Sequence, residues 1–366
     1  MRYLVAPDKF KGSLSAIEVA ETIGSQIKQI DPSAELALLP LADGGEGTAE
    51  LLAGHLGATK QTIETIDAIG RPIEAHFFAS DTEAVLDMST ASGLWRIEPE
   101  KRAPLYSNTY GLGIILWHLI EQGTQRILIG LGGSATVDAG LGMAAALGYR
   151  FEQEDGAPIE PIPVNFSQIA RVKPPLISRF PEVIGLADVE TRLTGKEGAF
   201  YVYGKQKGLT EQEINTLDRE VHELVRRLEP GLNSNFSDSP GAGAAGGLGY
   251  GVLAFLRGQL LSGFKVLAKR VALRDKIERV DIVITGEGKL DAQSLEGKAP
   301  FGVAQIARQL GKPVWAIAGA IEDRERLAPH FEKLIALVGE GVTVDDALRA
   351  PEKHLARRTR ELLGQG

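Results

Sequence analysis

Several short stretches of this 366-residue chain set a carboxylate among glycines: Asp8, Asp43, Asp138, Asp188, and Glu287 with Asp291. Lys9, Lys11, Lys207, Lys289 and Lys298 stand in or beside the same kind of stretch. Carboxylates that converge suit Mg²⁺, which takes a few of them together with substrate phosphates. Ammonium groups in glycine-flanked loops suit the phosphates themselves. Taken singly, an acidic loop residue more often closes a turn or caps a helix, and a loop lysine more often faces water. It is the recurrence of the arrangement that points to chemistry.

The densest of these stretches is VDIVITGEGKLDAQSLEGKAP, residues 280–300. Asp281-Ile282-Val283-Ile284 reads as a buried strand. Gly286 and Gly288 are expected to break it, so that the backbone turns tightly and lies close to a ligand. A helix starts near Phe301, with Lys298 at or just before its first turn, where free N–H groups favour an anion. Open parallel sheets bind ligands at the carboxyl ends of their strands, which is where this stretch would fall.

The elements that position these residues follow from periodicity. Tyr3-Leu4-Val5-Ala6 is a strand, and Ser15 with Glu18 forms a capping box for a helix that Asp31-Pro32 stops. Leu36-Ala37-Leu38-Leu39 delivers Leu41–Gly47, followed by a helix carrying Leu51, Leu52 and Leu56, whose start could hold an anion. Residues 61–89 change to short runs of period 2, an antiparallel meander that enters a second domain. There, Arg126-Ile127-Leu128-Ile129 leads into Gly132-Gly133-Ser134, and Val183-Ile184-Gly185-Leu186 leads to Asp188. Thr210 and Glu213 box the start of a long helix ending at Pro230-Gly231. After residue 278 strand and helix alternate again, with strands at 314–318 and 333–338. The expected fold is α/β: a discontinuous Rossmann/flavodoxin-like doubly wound domain from residues 1–60 and 278–366, with an inserted mixed α/β domain at 61–277 and the active site in the cleft between them.

Composition narrows the function. The net charge of −8 argues against nucleic acid, which needs a basic face. The absence of cysteine excludes disulfides, thiolate nucleophiles and Cys-ligated metals. The N-terminal apolar run is too short for a signal peptide and no stretch reaches membrane-spanning length, so a cytoplasmic protein without membrane partners is expected. A homodimer is compatible with the sequence. The six histidines are scattered, without metal-ligand spacing. No G-x-x-x-x-G-K-[ST] occurs. Gly241-Ala242-Gly243-Ala244-Ala245-Gly246 matches G-x-G-x-x-G, but Asn233–Ser239 before it is polar, so no strand feeds the motif. That match is the sole support for one alternative, a dinucleotide-dependent dehydrogenase of a small hydroxy acid. A non-catalytic carboxylate-binding protein is another, and would have no use for so many strand-end carboxylates beside lysines.

From end to end the chain resembles the type-1 bacterial glycerate kinases. The resemblance rests on Ala6-Pro7-Asp8-Lys9-Phe10-Lys11-Gly12-Ser13-Leu14-Ser15, Leu41-Ala42-Asp43-Gly44-Gly45-Glu46-Gly47-Thr48, Gly132-Gly133-Ser134-Ala135-Thr136-Val137-Asp138, 241–249, and Thr285-Gly286-Glu287-Gly288-Lys289-Leu290-Asp291 with Gly297-Lys298-Ala299-Pro300. It departs from the family pattern at Thr191-Arg192, Gly204–Gly208 and Gly111-Leu112-Gly113. It implies ATP-dependent phosphorylation of D-glycerate, at the 2-hydroxyl in most such enzymes and at the 3-hydroxyl as the alternative, with a divalent metal. ATP and Mg²⁺ are therefore the expected cofactors. Phosphoryl transfer asks for charge neutralisation and in-line positioning. Asp43, Asp188 and Asp291 are candidates for taking the hydroxyl proton, and Asp188 and Asp291 for binding metal. Lys11, Lys207 and Lys298 are candidates for stabilising the transferred group. Gly132, Gly133 and Ser134, and Gly286, Glu287 and Gly288, are candidate phosphate cradles. Asp8 is a substrate-side candidate, and Arg71 or Arg102 would suit the glycerate carboxylate.

Overall fold

A computed structural model describes residues 1–176, 180–296, 298–339 and 341–364; Gly297 of the last motif lies outside them. The chain divides into two compact units, residues 1–43 with 264–366 and residues 44–263.

The first unit is built on a five-stranded sheet in the order Lys333–Ala336, Val314–Ile321, Ile282–Leu290, Arg2–Val5, Glu35–Leu38, with every pairing parallel. Counted within the unit this is the order 2-1-3-4-5, the flavodoxin-like arrangement. The order reverses between Arg2–Val5 and Ile282–Leu290, so the loops after those two strands flank the switch point. Helix Ala16–Ile30 begins at the capping box, Ser15 accepting from Glu18 N and Glu18 accepting from Ser15 N. Its Val19, Ile23 and Ile27 join Val5, Ile284, Ile317 and Leu355 in the core. Each such side chain, fully buried, stabilises the fold by about 1.5–3 kcal/mol.

The strand at Ile282–Leu290 overturns the expected break. It runs through Gly286 and Gly288, neither of which has positive φ. The glycines are needed for close approach: a Cβ at Gly286 would lie 2.0 Å from the Ile317 carbonyl oxygen, and one at Gly288 would lie 2.9 Å from the Lys11 nitrogen. Crowding by neighbouring backbone, not a turn, selects glycine here.

The second unit holds a six-stranded sheet in the order Gln259–Leu261, Glu182–Leu186, Arg126–Gly130, Glu83–Asp87, Pro72–Ala79, Thr59–Ile66. The first three pairings are parallel and the last two antiparallel, so the meander forms one flank of a mixed sheet. The long helix Glu211–Leu232 starts at the Thr210–Glu213 box and packs Leu217, Val221, Leu224 and Leu228 against Phe166, Phe200 and Phe255.

The unit boundaries fall at 43/44 and 263/264, away from those expected at 60 and 277. Helix Thr48–Leu56 goes with the second unit because Asp87, at the end of a second-unit strand, accepts from Gly47 N at 2.8 Å and Ala49 N at 3.1 Å. Helix Leu273–Glu278 goes with the first because it packs on Ala299–Gln309, with Arg274 donating to Gln309 at 3.0 Å. The 241–249 stretch forms the start of helix Ala244–Ala254, with Ala245, Gly246 and Gly247 left-handed inside it. A Cβ at Gly246 would meet the Thr136 carbonyl oxygen at 1.9 Å. That is a packing device and not the strand–turn–helix of a dinucleotide site. Among the described residues no helix is long and apolar enough to cross a membrane.

Candidate active site

In the first unit the loops at the switch point bring together Asp8, Lys9, Asp43, Glu287, Asp291, Ser294 and Lys298. Asp8 is 3% exposed and its N–H donates to Gly286 O at 2.8 Å, which ties the loop after the first strand to the neighbouring strand. Lys9 Nζ lies 3.7 Å from Asp8 Oδ1 and 3.6 Å from Asp43 Oδ1. Burial pushes the Asp8 carboxyl up to about 7; Lys9 opposes the rise, and Asp43 and Glu287 add to it. Glu287 is 7% exposed, accepts from Ser294 Oγ at 2.6 Å and faces Lys298 Nζ at 3.7 Å. Burial holds its pKa above the ordinary value against Lys298 and Ser294, with Asp43 and Asp291 pushing the same way as burial. Ser294 and Asp291 also bracket each other, Ser294 N donating to Asp291 Oδ1 at 3.2 Å and Asp291 N to Ser294 Oγ at 3.1 Å.

The resulting cluster is two carboxylate groups, each built round a lysine, at the point where open α/β sheets bind ligands. Lys298 occupies the N-cap position of helix Ala299–Gln309 without a side-chain cap bond, and Pro300 falls in the first turn. Lys289, at 3.6 Å from Asp291, is drawn also to Glu322 at 2.9 Å. Lys11 is exposed. Among the described residues no group of three or more His, Asp or Glu side chains is placed to hold a metal ion unaided. Hard carboxylate oxygens in excess of nearby ammonium groups are nonetheless the donor chemistry that Mg²⁺ takes alongside phosphate.

The second unit gathers a different constellation. Lys207, the last residue of helix Ala199–Lys207, is 3% exposed and donates to Ser134 Oγ at 2.6 Å and Thr136 O at 2.7 Å. Burial lowers its ammonium to about 7, with Asp138 opposing. Thr136 Oγ1 and Ser92 Oγ are buried beside this segment with no hydrogen-bond partner, an unusual state for native hydroxyls. Asp138 is fully buried and accepts from Thr109 N, Thr109 Oγ1, Gly140 N and Gly142 N. Those bonds make it the anchor of helix Leu141–Ala146.

Other expectations change. The Gly286–Gly288 cradle is absent as such: the segment is strand, and the Gly288 N–H already donates to Lys9 O at 3.3 Å. Glu287, between the two glycines, supplies a carboxylate instead. Gly132 N is turned to Gly44 O and Gly133 O accepts from Leu94 N, which leaves Ser134 and Lys207 as the polar groups of that loop. The start of helix Thr48–Leu56 already holds an anion, the protein's own Asp87. The Arg71 fork is committed: Nε donates to Asp67 at 2.6 Å and Nη2 to Arg96 O at 2.7 Å, with Glu98 at 3.7 Å from Nη1. Arg102 gives Nη1 to Gln206 O at 3.0 Å, at the Lys207 end of its helix, and its Nε is buried without a partner. Asp188 follows strand Glu182–Leu186 in the second unit. Sequence reasoning missed Asp87 and Ser294. The signals were present: an aspartate closing a strand opposite a glycine loop, and a serine three residues after Asp291.

The glycerate kinase family profile matches residues 3–365. A glycerate kinase of Bacillus subtilis (strain 168) is 38% identical over 369 residues, covering 99% of this chain and 97% of its own. A glycerate 2-kinase of Escherichia coli (strain K12) is 36% identical over 373 residues, covering 99% and 97%. A Salmonella typhimurium LT2 crystal structure, provisionally designated glycerate kinase 2, is similar with a TM-score of 0.82 and 34% identity, covering 100% of this chain and 97% of that one.

Proposed function

This chain belongs to the glycerate kinase family of phosphotransferases, and from that premise we propose that it transfers the γ-phosphoryl group of ATP to the 2-hydroxyl of D-glycerate in the cytoplasm. The relative named glycerate 2-kinase supports the choice of hydroxyl. The observation that carries the chemistry is the pair of lysine-centred carboxylate groups at the sheet's switch point, Asp8 and Asp43 about Lys9 and Glu287 beside Lys298.

Asp8 is proposed as the acceptor of the hydroxyl proton. Its pKa of about 7 matches a base working near neutrality. Lys9 holds the carboxylate in place through its own N–H, which donates to Asp8 Oδ1 at 2.6 Å. Lys298, which faces Glu287 at 3.7 Å, offers its ammonium to the transferred group. Asp43 and Asp291 would hold Mg²⁺, which supplies charge neutralisation at the phosphates. In the second unit, Ser134 and Lys207 are proposed phosphate contacts and Arg102 the partner of a substrate carboxylate.

The test is ADP release that depends on D-glycerate, with the product identified as 2- or 3-phosphoglycerate. Transfer only to the 3-hydroxyl removes the regiochemical assignment; no D-glycerate-dependent ADP removes the reading itself. For the base, the acid limb of kcat/KM near pH 7 should disappear in Asp8→Asn together with most of the rate. An Asp8→Asn enzyme with the same limb places the base elsewhere.

A further inference from the structure

A pocket of about 390 Å³ opens in the second unit, lined by Leu232, Asn233, Ser234, Phe236, Leu253, Ala254, Arg257 and Gly258. Its size falls in the range of small-molecule sites. It lies where helix Glu211–Leu232 ends, beside the last turn of helix Ala244–Ala254. Its chemistry differs from that of the carboxylate cluster. One wall is apolar, from Leu232, Phe236, Leu253 and Ala254. The other carries Asn233, Ser234 and the exposed guanidinium of Arg257, which makes no hydrogen bond or ion pair among the described residues.

Two further observations point to an absent ligand. Ser234 Oγ, in the pocket wall, and the hydroxyl of the fully buried Tyr250 face each other, and neither has another hydrogen-bond partner among the described residues. Two hydroxyls that share one bond keep spare bonding capacity, which a polar group in the pocket would use at Ser234. Arg257 is also held at φ 53°, in the left-handed turn that ends helix Ala244–Ala254, which fixes where its side chain leaves the backbone. The nearby acid, Glu229, is turned away: it accepts from Phe236 N at 2.9 Å and Ser237 N at 3.0 Å, and its other oxygen takes Ser237 Oγ at 3.5 Å.

We propose that this pocket is a second binding site, separate from the phosphoryl-transfer machinery, for a small organic anion with an apolar body. Arg257 takes its carboxylate or phosphate, Ser234 and Asn233 complete the polar contacts, and Phe236 with Leu253 covers the body. A guanidinium suits either oxyanion through paired N–H donors. The site sits at the far end of the helix whose first turn packs Gly246 on Thr136 and Lys207.

The experiment is saturation-transfer NMR on the full chain with phenyl phosphate, with inorganic phosphate as the head group alone and benzyl alcohol as the body alone. Phenyl phosphate should bind more tightly than either fragment. Arg257→Gln should weaken it by about tenfold or more, as loss of a charge-assisted pair predicts. Leu253→Trp, which fills the apolar wall, should weaken it independently. D-glycerate-dependent ADP release by both variants should stay within about twofold of wild type, since neither residue touches the transfer machinery. Unchanged phenyl phosphate binding in both variants, or no binding to wild type, overturns the site. Equal binding of inorganic phosphate overturns the organic body. Loss of ADP release in wild type bears on the kinase reading alone.

Discussion

The two units shift the titration of their buried charges in opposite directions and by different means. The first unit holds carboxylates close together and tempers them with lysines shared between them, so that burial and mutual repulsion lift Asp8 and Glu287 while Lys9 and Lys298 restrain the rise. The second unit buries a lone lysine against neutral oxygens, Ser134 Oγ and Thr136 O, and lets desolvation bring its pKa down to about 7. On the proposed reading the first set of charges meets a cation and a proton, and the second, an ammonium held in poor solvation, is relieved by a phosphate. The contrast shows that a charge can be moved from its ordinary titration either by crowding it with its own kind or by denying it water.

The largest expected effect tests the first arrangement. Activity should fall to background in EDTA and return with Mg²⁺, because the excess of carboxylate over ammonium needs a cation before it can accept phosphate. Full turnover in a metal-free preparation would end that reading, and with it the contrast between the units.

Next comes Lys298→Ala, expected to lower kcat/KM by roughly two orders of magnitude or more, the scale of losing one charge-stabilising donor. Its effect on the unliganded protein should depend on pH. Glu287 already has a raised pKa, and losing Lys298 raises it further. A group with a raised folded-state pKa contributes stability at low pH that is lost as pH rises through that value. The variant should therefore melt at a lower temperature than wild type at pH 8 and match it near pH 4. Equal melting at both, with turnover barely changed, would show that the Lys298–Glu287 contact matters to neither fold nor chemistry.

Asp8→Asn and Lys207→Met compare the units directly through stability against pH. In wild type the raised Asp8 value favours the protonated form, so its contribution is full below the ordinary 3.8 and is lost as pH rises through about 7. The lowered Lys207 value favours the neutral amine, so its contribution is full above the ordinary 10.5 and is lost as pH falls through about 7. Asp8→Asn should remove the first dependence and Lys207→Met the second, each by an amount on the order of a few kcal/mol across its window. Chemical denaturation at closely spaced pH values checks both. Dependences unchanged by the substitutions would mean that both side chains are well solvated.

The smallest effect on catalysis is expected from Arg71→Ala, with kcat/KM within about threefold of wild type, while the melting temperature falls as buried Asp67 loses its guanidinium. A large rise in KM for D-glycerate without loss of stability would restore Arg71 to the substrate.

Much of this was legible in the residues. The capping boxes at Ser15 and Thr210 are local devices, and the structure shows both. The α/β class follows from periodicity, and the strand-end carboxylates stand out in the residues alone. Illegible features depended on contacts between distant segments. Gly286 and Gly288 look the same in a sequence whether they free a turn or make room for Ile317 and Lys11. Arg71 looks like a free fork until Asp67, four residues earlier, is seen to hold it. Asp87 was hidden because its partners, Gly47 and Ala49, lie about forty positions upstream. The pKa values of Asp8 and Lys207 were beyond reach, since they come from burial and not from spacing.

The place of Arg2–Val5 in its sheet carries a consequence for biogenesis. This strand lies between Glu35–Leu38 and Ile282–Leu290, and Tyr3 pairs with Ile282. On a ribosome adding roughly 5–20 residues per second, the first strand emerges about a quarter of a minute to a minute before its inner neighbour exists. Meanwhile residues 44–263 can complete their own sheet, since all six of its strands lie within them. The nascent chain thus carries a finished later-born unit while its amino-terminal hydrophobic strand waits with one edge open, the kind of edge that recruits wrong partners. Translation speed and holding chaperones therefore bear on yield through residues 1–43, and a circular permutant beginning near residue 264 would shorten that wait by delivering both halves of the sheet in succession.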